Sequence, residues 1–136
     1  MFGKSKKQPA IRSLIGEGTQ VHGELRFDAG LRIDGEVLGD VVATEPSSLL
    51  VISEHARVQG KVMAGHVIIN GQVRGPVVAT TLLELQPKAR IVGDVHYEAL
   101  EMHQGATIDG VMKHVKGGEV DADERPLLKL AAANEG

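Results

Sequence analysis

The chain repeats itself at short intervals, and this limits its folds more than any other property. Two stretches match almost residue for residue: LRIDGEVLGDVVA from Leu31 to Ala43 and HVIINGQVRGPVVA from His66 to Ala79, offset by 36 residues at Ile33 and Ile69. Segments of a second kind lie between and around them: IGEGTQVHGELRF from Ile15, ISEHARVQGKVMA from Ile52, LQPKARIVGDVHY from Leu85 and MHQGATIDGVM from Met102. Each has an apolar residue, three turn-like residues, and then a small residue leading into apolar-x-Gly-x-apolar. With unit starts at Leu14, Leu31, Leu49, His66, Leu82 and Leu100, the step is 16 to 18 residues and six units fill the body of the chain. A step of this length belongs to stacked repeats, in which each unit buries its apolar face against its neighbours.

Within a unit the period is two. Leu31, Ile33, Gly35, Val37, Gly39, Val41 and Ala43 fall on one face, and Arg32, Asp34, Glu36, Leu38, Asp40 and Val42 on the other. Val67, Ile69, Gly71, Val73, Gly75, Val77 and Ala79 repeat the pattern in the fourth unit. Such alternation marks β-strands with one buried face. Short strands broken by Gly or by triplets such as SEH and QPK predict an all-β, single-domain parallel β-helix of about six turns. At the spacing of neighbouring strands, the rod is about 29 Å long. Ladders of Val, Ile, Leu and Ala leave a narrow interior, and the composition agrees: one Tyr, two Phe and no Trp, against 17 Gly. An antiparallel sandwich also uses short strands, but needs no matching inward residues at a fixed step.

This body spans 13–115. Residues 1–12 form a basic tail with Lys4, Lys6, Lys7 and Arg12 and no acid. Residues 116–136 turn Gly-rich and then mixed in charge, with a short apolar stretch at Leu127, Leu128 and Leu130, and read as a flexible tail. From Ser13 to Met112, seven Lys and Arg stand against 13 Asp and Glu, so the body offers no basic stripe for a nucleic acid. The absence of Cys excludes a disulfide framework, a thiolate zinc site and a Cys nucleophile, and suits a reducing cytoplasm. No apolar run approaches a membrane span, and the N-terminus lacks the apolar core of a signal peptide.

The residues that carry chemistry fall outside known constellations. The phosphate-binding pattern G-x-x-x-x-G-K-[ST] is absent, since Gly60-Lys61 is followed by Val62. Gly16 and Gly18 begin a dinucleotide fingerprint whose third glycine would fall at Val21, so they read as turn residues. Six histidines are present, but the repeat separates them. By parity His22 and His96 point outward four turns apart, and His55 and His103 lie in corner triplets three turns apart. Asp34 with Glu36, and Glu98 with Glu101, read as acids on solvated outer faces. No catalytic residue, metal or cofactor is assigned.

The ends and the N-terminal tail remain. A solenoid exposes ladder groups and apolar interior at its first and last turns, and most carry polar caps or helices there. Neither is evident here. The first unit offers Ile15, Val21, Leu25 and Phe27, and the sixth offers Leu100, Met102, Ile108 and Met112, so the ends are expected to stack on other copies. The sequence MFGKSKK places Met1 and Phe2 beside Lys4, Lys6 and Lys7, a composition suited to inserting two apolar side chains among anionic lipid headgroups.

The run LIGEGTQVHGELRFDAGLRIDGEVLGDV, from Leu14 to Val41, with the Gly-centred units that follow through Met112, resembles the bactofilins, bacterial polymer-forming cytoskeletal proteins. The resemblance covers essentially the whole body. It implies a right-handed, three-sided parallel β-helix that polymerises without nucleotide into non-polar filaments, through head-to-head and tail-to-tail contacts. It also implies a membrane-binding N-terminal peptide at the cytoplasmic face of the inner membrane. The partners it implies are other copies of the chain, lipid, and cell-wall enzymes or chromosome-partitioning proteins as clients. Ile108 departs from the family pattern, where many members carry Phe on the inward side of the last turn. Two rival readings are a β-helix acyltransferase or metal-dependent hydratase, and an adaptor that does not polymerise.

Overall fold

The computed structural model describes residues 10–116, and these contain no helix. Sixteen strands wind into six turns, each with three sides. Turn one is β1 (Ile11–Ile15), β2 (Gln20–His22) and β3 (Leu25–Arg26). Turn two is β4 (Gly30–Ile33), β5 (Glu36–Leu38) and β6 (Val41–Val42). Turn three opens with β7 (Leu49–Ile52) and β8 (Arg57–Gln59). Its third side is the start of β9 (Val62–Ile69), which continues round the corner as the first side of turn four. After β10 (Gln72–Arg74), β11 (Val77–Leu85) does the same between turns four and five. Turn five ends with β12 (Arg90–Val92) and β13 (Val95–Tyr97), and turn six is β14 (Leu100–Met102), β15 (Thr107–Asp109) and β16 (Met112–His114). Every pairing is parallel and joins a strand to the same side of an adjacent turn. The expected parallel β-helix is therefore present.

Inward residues stack in columns. On side one Ile33, Ile52, Ile69 and Leu85 align, and on side two Val37, Val58, Val73 and Ile91. On side three Val41, Val62, Val77 and Val95 align, and all four are fully buried. A large aliphatic side chain taken from water in this way contributes about 1.5–3 kcal/mol, so the columns are the chief source of stability.

A column of glycines explains the recurrent apolar-x-Gly-x-apolar. Gly23, Gly39, Gly60, Gly75 and Gly93 form the corner between sides two and three, and all have positive φ, between 126° and 152°. A Cβ on any of the later four would collide with the carbonyl oxygen of the glycine one turn below. The corner is closed by backbone on backbone, which only glycine permits. Just beyond it Asp40 Oδ1 accepts from Lys61 N–H at 2.9 Å, and Asp94 Oδ1 from Val111 N–H at 3.1 Å, each carboxylate satisfying the next turn's backbone.

Two features of the frame differ from the sequence reading. The chosen unit starts do not form one column. Leu31 and Leu100 point inward, in line with Leu50, Val67 and Leu83; Leu49, His66 and Leu82 align one residue earlier, and Leu14 points outward, 60% exposed. The doublets Leu14-Ile15, Leu49-Leu50 and Leu82-Leu83 hide which member faces inward. The first strand also begins at Ile11, whose partner is Gly30, with a bulge at Arg12.

Turn two carries the longest corner. Ser48, fully buried, donates from its Oγ to the Glu45 carbonyl at 2.6 Å and accepts from Gly65 N–H at 2.9 Å. Thr81 Oγ1 donates to the Pro46 carbonyl at 3.0 Å, and the same carbonyl fills the space where Gly65 would have a Cβ. This corner thus lies over turns three and four.

Candidate functional site

The two end turns are built from the same columns but left open on one side. At the N-terminal end Ile15 stacks on Ile33, Val21 on Val37 and Leu25 on Val41, while Phe27 N–H donates to the Val42 carbonyl at 3.2 Å. At the C-terminal end Leu100 stacks on Leu83, Met102 on Leu85, Ile108 on Ile91 and Met112 on Val95. All eight expected residues stand in inward columns. Ile15, Val21, Leu25, Phe27, Leu100 and Ile108 are half-buried against the core, and Met102 and Met112 are 46% and 37% exposed. Among the described residues no strand pairs with the outer edges of β1, β2 and β3, or of β14, β15 and β16.

Sequence reasoning missed other apolar residues there. Ile11 and Leu14 in the first turn and Val111 in the last are 42%, 60% and 54% exposed, so of the six exposed large apolar residues among the described ones only Val92 lies away from the end turns. Leu14 was hidden by its doublet and Ile11 by the basic residues around it. Exposed apolar area concentrated in this way marks contact surfaces.

Among the described residues the two aromatic side chains, Phe27 and Tyr97, share one inward column at the corner from side three to side one. Its middle is Ala43, Ala64 and Ala79, at most 3% exposed. Phe27 precedes Ala43, and Tyr97 follows Ala79 and meets His114 edge-on with ring centroids 5.7 Å apart. The interior admits only methyl groups there in mid-rod, and rings fit where the stack nears its ends.

The outer surface holds the titratable groups. Arg32 makes an ion pair with Asp34 at 3.1 Å, and this hydrogen bond is the main cause holding the Asp34 carboxyl below its usual value. His22 and His96 lie on different sides, in β2 and β13. Burial, then the neighbouring Lys113, holds His96 below the ordinary histidine value; burial does the same to His66 against the opposing pull of Glu84 and Glu101. Sequence reasoning saw separated histidines, yet Glu84, Glu101 and His103 converge, with ligand atoms all within 4.8 Å of one another. The signal was the 17-residue step from Glu84 to Glu101, which is the repeat itself. Met1, Phe2, Lys4, Lys6 and Lys7, and the Leu127–Leu130 stretch, lie outside the described residues.

Comparison with known proteins gives a consistent answer. Residues 13–113 match the family model Bactofilin, described as polymer-forming cytoskeletal. The chain is 30% identical over 98 residues to the bactofilin BacO of Myxococcus xanthus (strain DK1622), covering 72% of this chain and 75% of that one. It is 29% identical over 118 residues to the bactofilin BacP of the same organism, covering 85% of this chain and 48% of BacP, so it spans about half of that relative's length. No solved structure matches.

Proposed function

Because this chain belongs to the bactofilin family of polymer-forming cytoskeletal proteins, we propose that it is a scaffold that assembles itself without nucleotide, stacking its open ends on those of other copies. The observation that supports this reading is the pair of end turns that no strand or helix caps among the described residues. Each presents inward apolar residues and unpaired strand edges to whatever adjoins it. Ladder donors and acceptors left open in this way are templates for strand pairing with another chain.

Like ends meet like in this proposal: the turn bearing Ile15, Val21, Leu25 and Phe27 joins its own kind, and so does the turn bearing Leu100, Met102, Ile108 and Met112. Each joint is then isologous, and two kinds of isologous joint on one rod give a filament without polarity. The N-terminal Met1, Phe2, Lys4, Lys6 and Lys7 hold that filament to the anionic cytoplasmic face of the inner membrane, where it organises cell-shape or cell-wall machinery. No residue has a catalytic role in this reading.

Negative-stain electron microscopy of the full-length protein, with no nucleotide or metal added, tests the assembly. Long thin filaments are the expected result. Compact particles alone would reject end-to-end stacking and favour the adaptor reading.

A further inference from the structure

The outer surface of side one changes character towards the C-terminal end. Its middle column runs Leu14, Arg32, Val51 and Ile68, and then Glu84 and Glu101. The two glutamates are direct partners in the β11–β14 ladder. Like charges directly opposite in a sheet are destabilising, yet among the described residues no Lys or Arg forms an ion pair with either. Imidazole surrounds them instead. His103 Nε2 lies 3.8 Å from Glu84 Oε2, and His66 Nε2 lies 3.8 Å from Glu84 Oε1. Gln86 Nε2 donates to Glu84 Oε2 at 3.4 Å and steadies the carboxylate from the adjoining corner.

We propose that Glu84, Glu101 and His103 bind one divalent cation of the zinc class, with His66 on the second oxygen of Glu84 as a positioning residue. Two carboxylates and an imidazole are a donor set that zinc accepts, with water completing the shell. Magnesium and calcium, which take oxygen ligands, are disfavoured by the imidazole. Tetrahedral ligand atoms around such an ion stand about 3.4 Å apart, so a separation within 4.8 Å closes by small side-chain rotations. His103, 50% exposed, and Glu101, on an open edge, are free to make them. The ion replaces carboxylate repulsion with attraction to both charges. Its ligands come from turns five and six, so it also ties the last turn, paired on one side only among the described residues, to its neighbour. The inference depends on these side chains and not on filament formation.

The test is isothermal calorimetry on untagged full-length protein, stripped with EDTA, dialysed, and titrated with zinc chloride, with magnesium and calcium chloride in parallel. One zinc ion per chain is expected, with no saturable heat from magnesium or calcium. Glu84→Gln and His103→Ala should each weaken zinc binding about tenfold or more, while His55→Ala and His114→Ala should leave it unchanged. Zinc should also slow amide hydrogen exchange at Leu100 to His103 in the natural sequence and not in the Glu84→Gln protein. Absence of zinc binding, unchanged affinity in both ligand variants, or equally tight magnesium binding would each overturn the proposal.

Discussion

At the scale of single residues, backbone closeness decides more than side-chain chemistry does. Gly60 has φ of 150°, and the space beside its Cα is taken by the Gly39 carbonyl. Gly60→Ala therefore adds backbone strain of about 1–3 kcal/mol and forces apart two turns that touch. A fall in the thermal unfolding midpoint of several degrees or more is expected in calorimetry, and an unchanged midpoint would contradict the tight corner. His96 gives a pH dependence with a definite sign. Burial lowers its folded pKa, so the unfolded chain takes up a proton at a pH where the folded chain does not. Its contribution is complete above about pH 6.5, the unfolded value, and declines as the pH falls below that until the folded state titrates too. Denaturant titrations from about pH 7.5 to 5 should show stability falling with pH, and His96→Gln should flatten the decline. His66, lowered likewise, keeps its own part of it.

At the scale of strands, each end turn has half the neighbours of an interior turn. Ile108 in β15 stacks on Ile91 below, and among the described residues no strand lies above it. If the ends join, Ile108→Arg places a charge in an apolar joint, which costs several kcal/mol when water cannot reach it. In an isolated rod the same arginine extends into solvent at little cost. Loss of pelletable polymer with an unchanged circular dichroism spectrum is the expected pair of results. Persistent polymer would remove the C-terminal turn from the joint. The repeat and its alternation made the strands legible in sequence, because Val, Ile and Leu at every second position have only one way to be buried. Register was less legible at Leu49-Leu50 and Leu82-Leu83, where both residues are apolar and the corner length, not the pattern, selects the inward one. The inward placement of the end residues was legible once the fold was, since they continue the same columns. The Glu84, Glu101 and His103 cluster was not, because its members belong to successive turns and meet only through the stacking.

For the whole molecule, assembly changes what weak contacts achieve. If the N-terminal tail meets lipid as proposed, one copy gains about 1.5–3 kcal/mol for each large apolar side chain buried and about 1 for each Lys near an anionic surface, a reversible attachment. In the proposed filament many tails would stand together, and effective concentration would make them act as one firm anchor. Deleting Met1 to Lys7 is expected to leave filaments intact in micrographs and abolish their co-sedimentation with phosphatidylserine-containing vesicles. Co-sedimentation that survives the deletion would assign lipid binding elsewhere. A molecule made of near-identical turns faces a further hazard, that of threading. A chain displaced by one whole turn during folding would still find aliphatic partners at nearly every rung, so the columns alone discriminate poorly between correct and slipped windings. The turn-two corner is not repeated. Its Pro46 carbonyl fits only where the facing residue lacks a side chain, at Gly65, and its Ser48 hydroxyl completes the fit by taking that glycine's N–H. Shifted one turn along, the same corner would face the Thr80-Thr81 irregularity and its side chains. The corner therefore works as a key in a keyway, indexing an otherwise uniform screw so that it closes on a single thread.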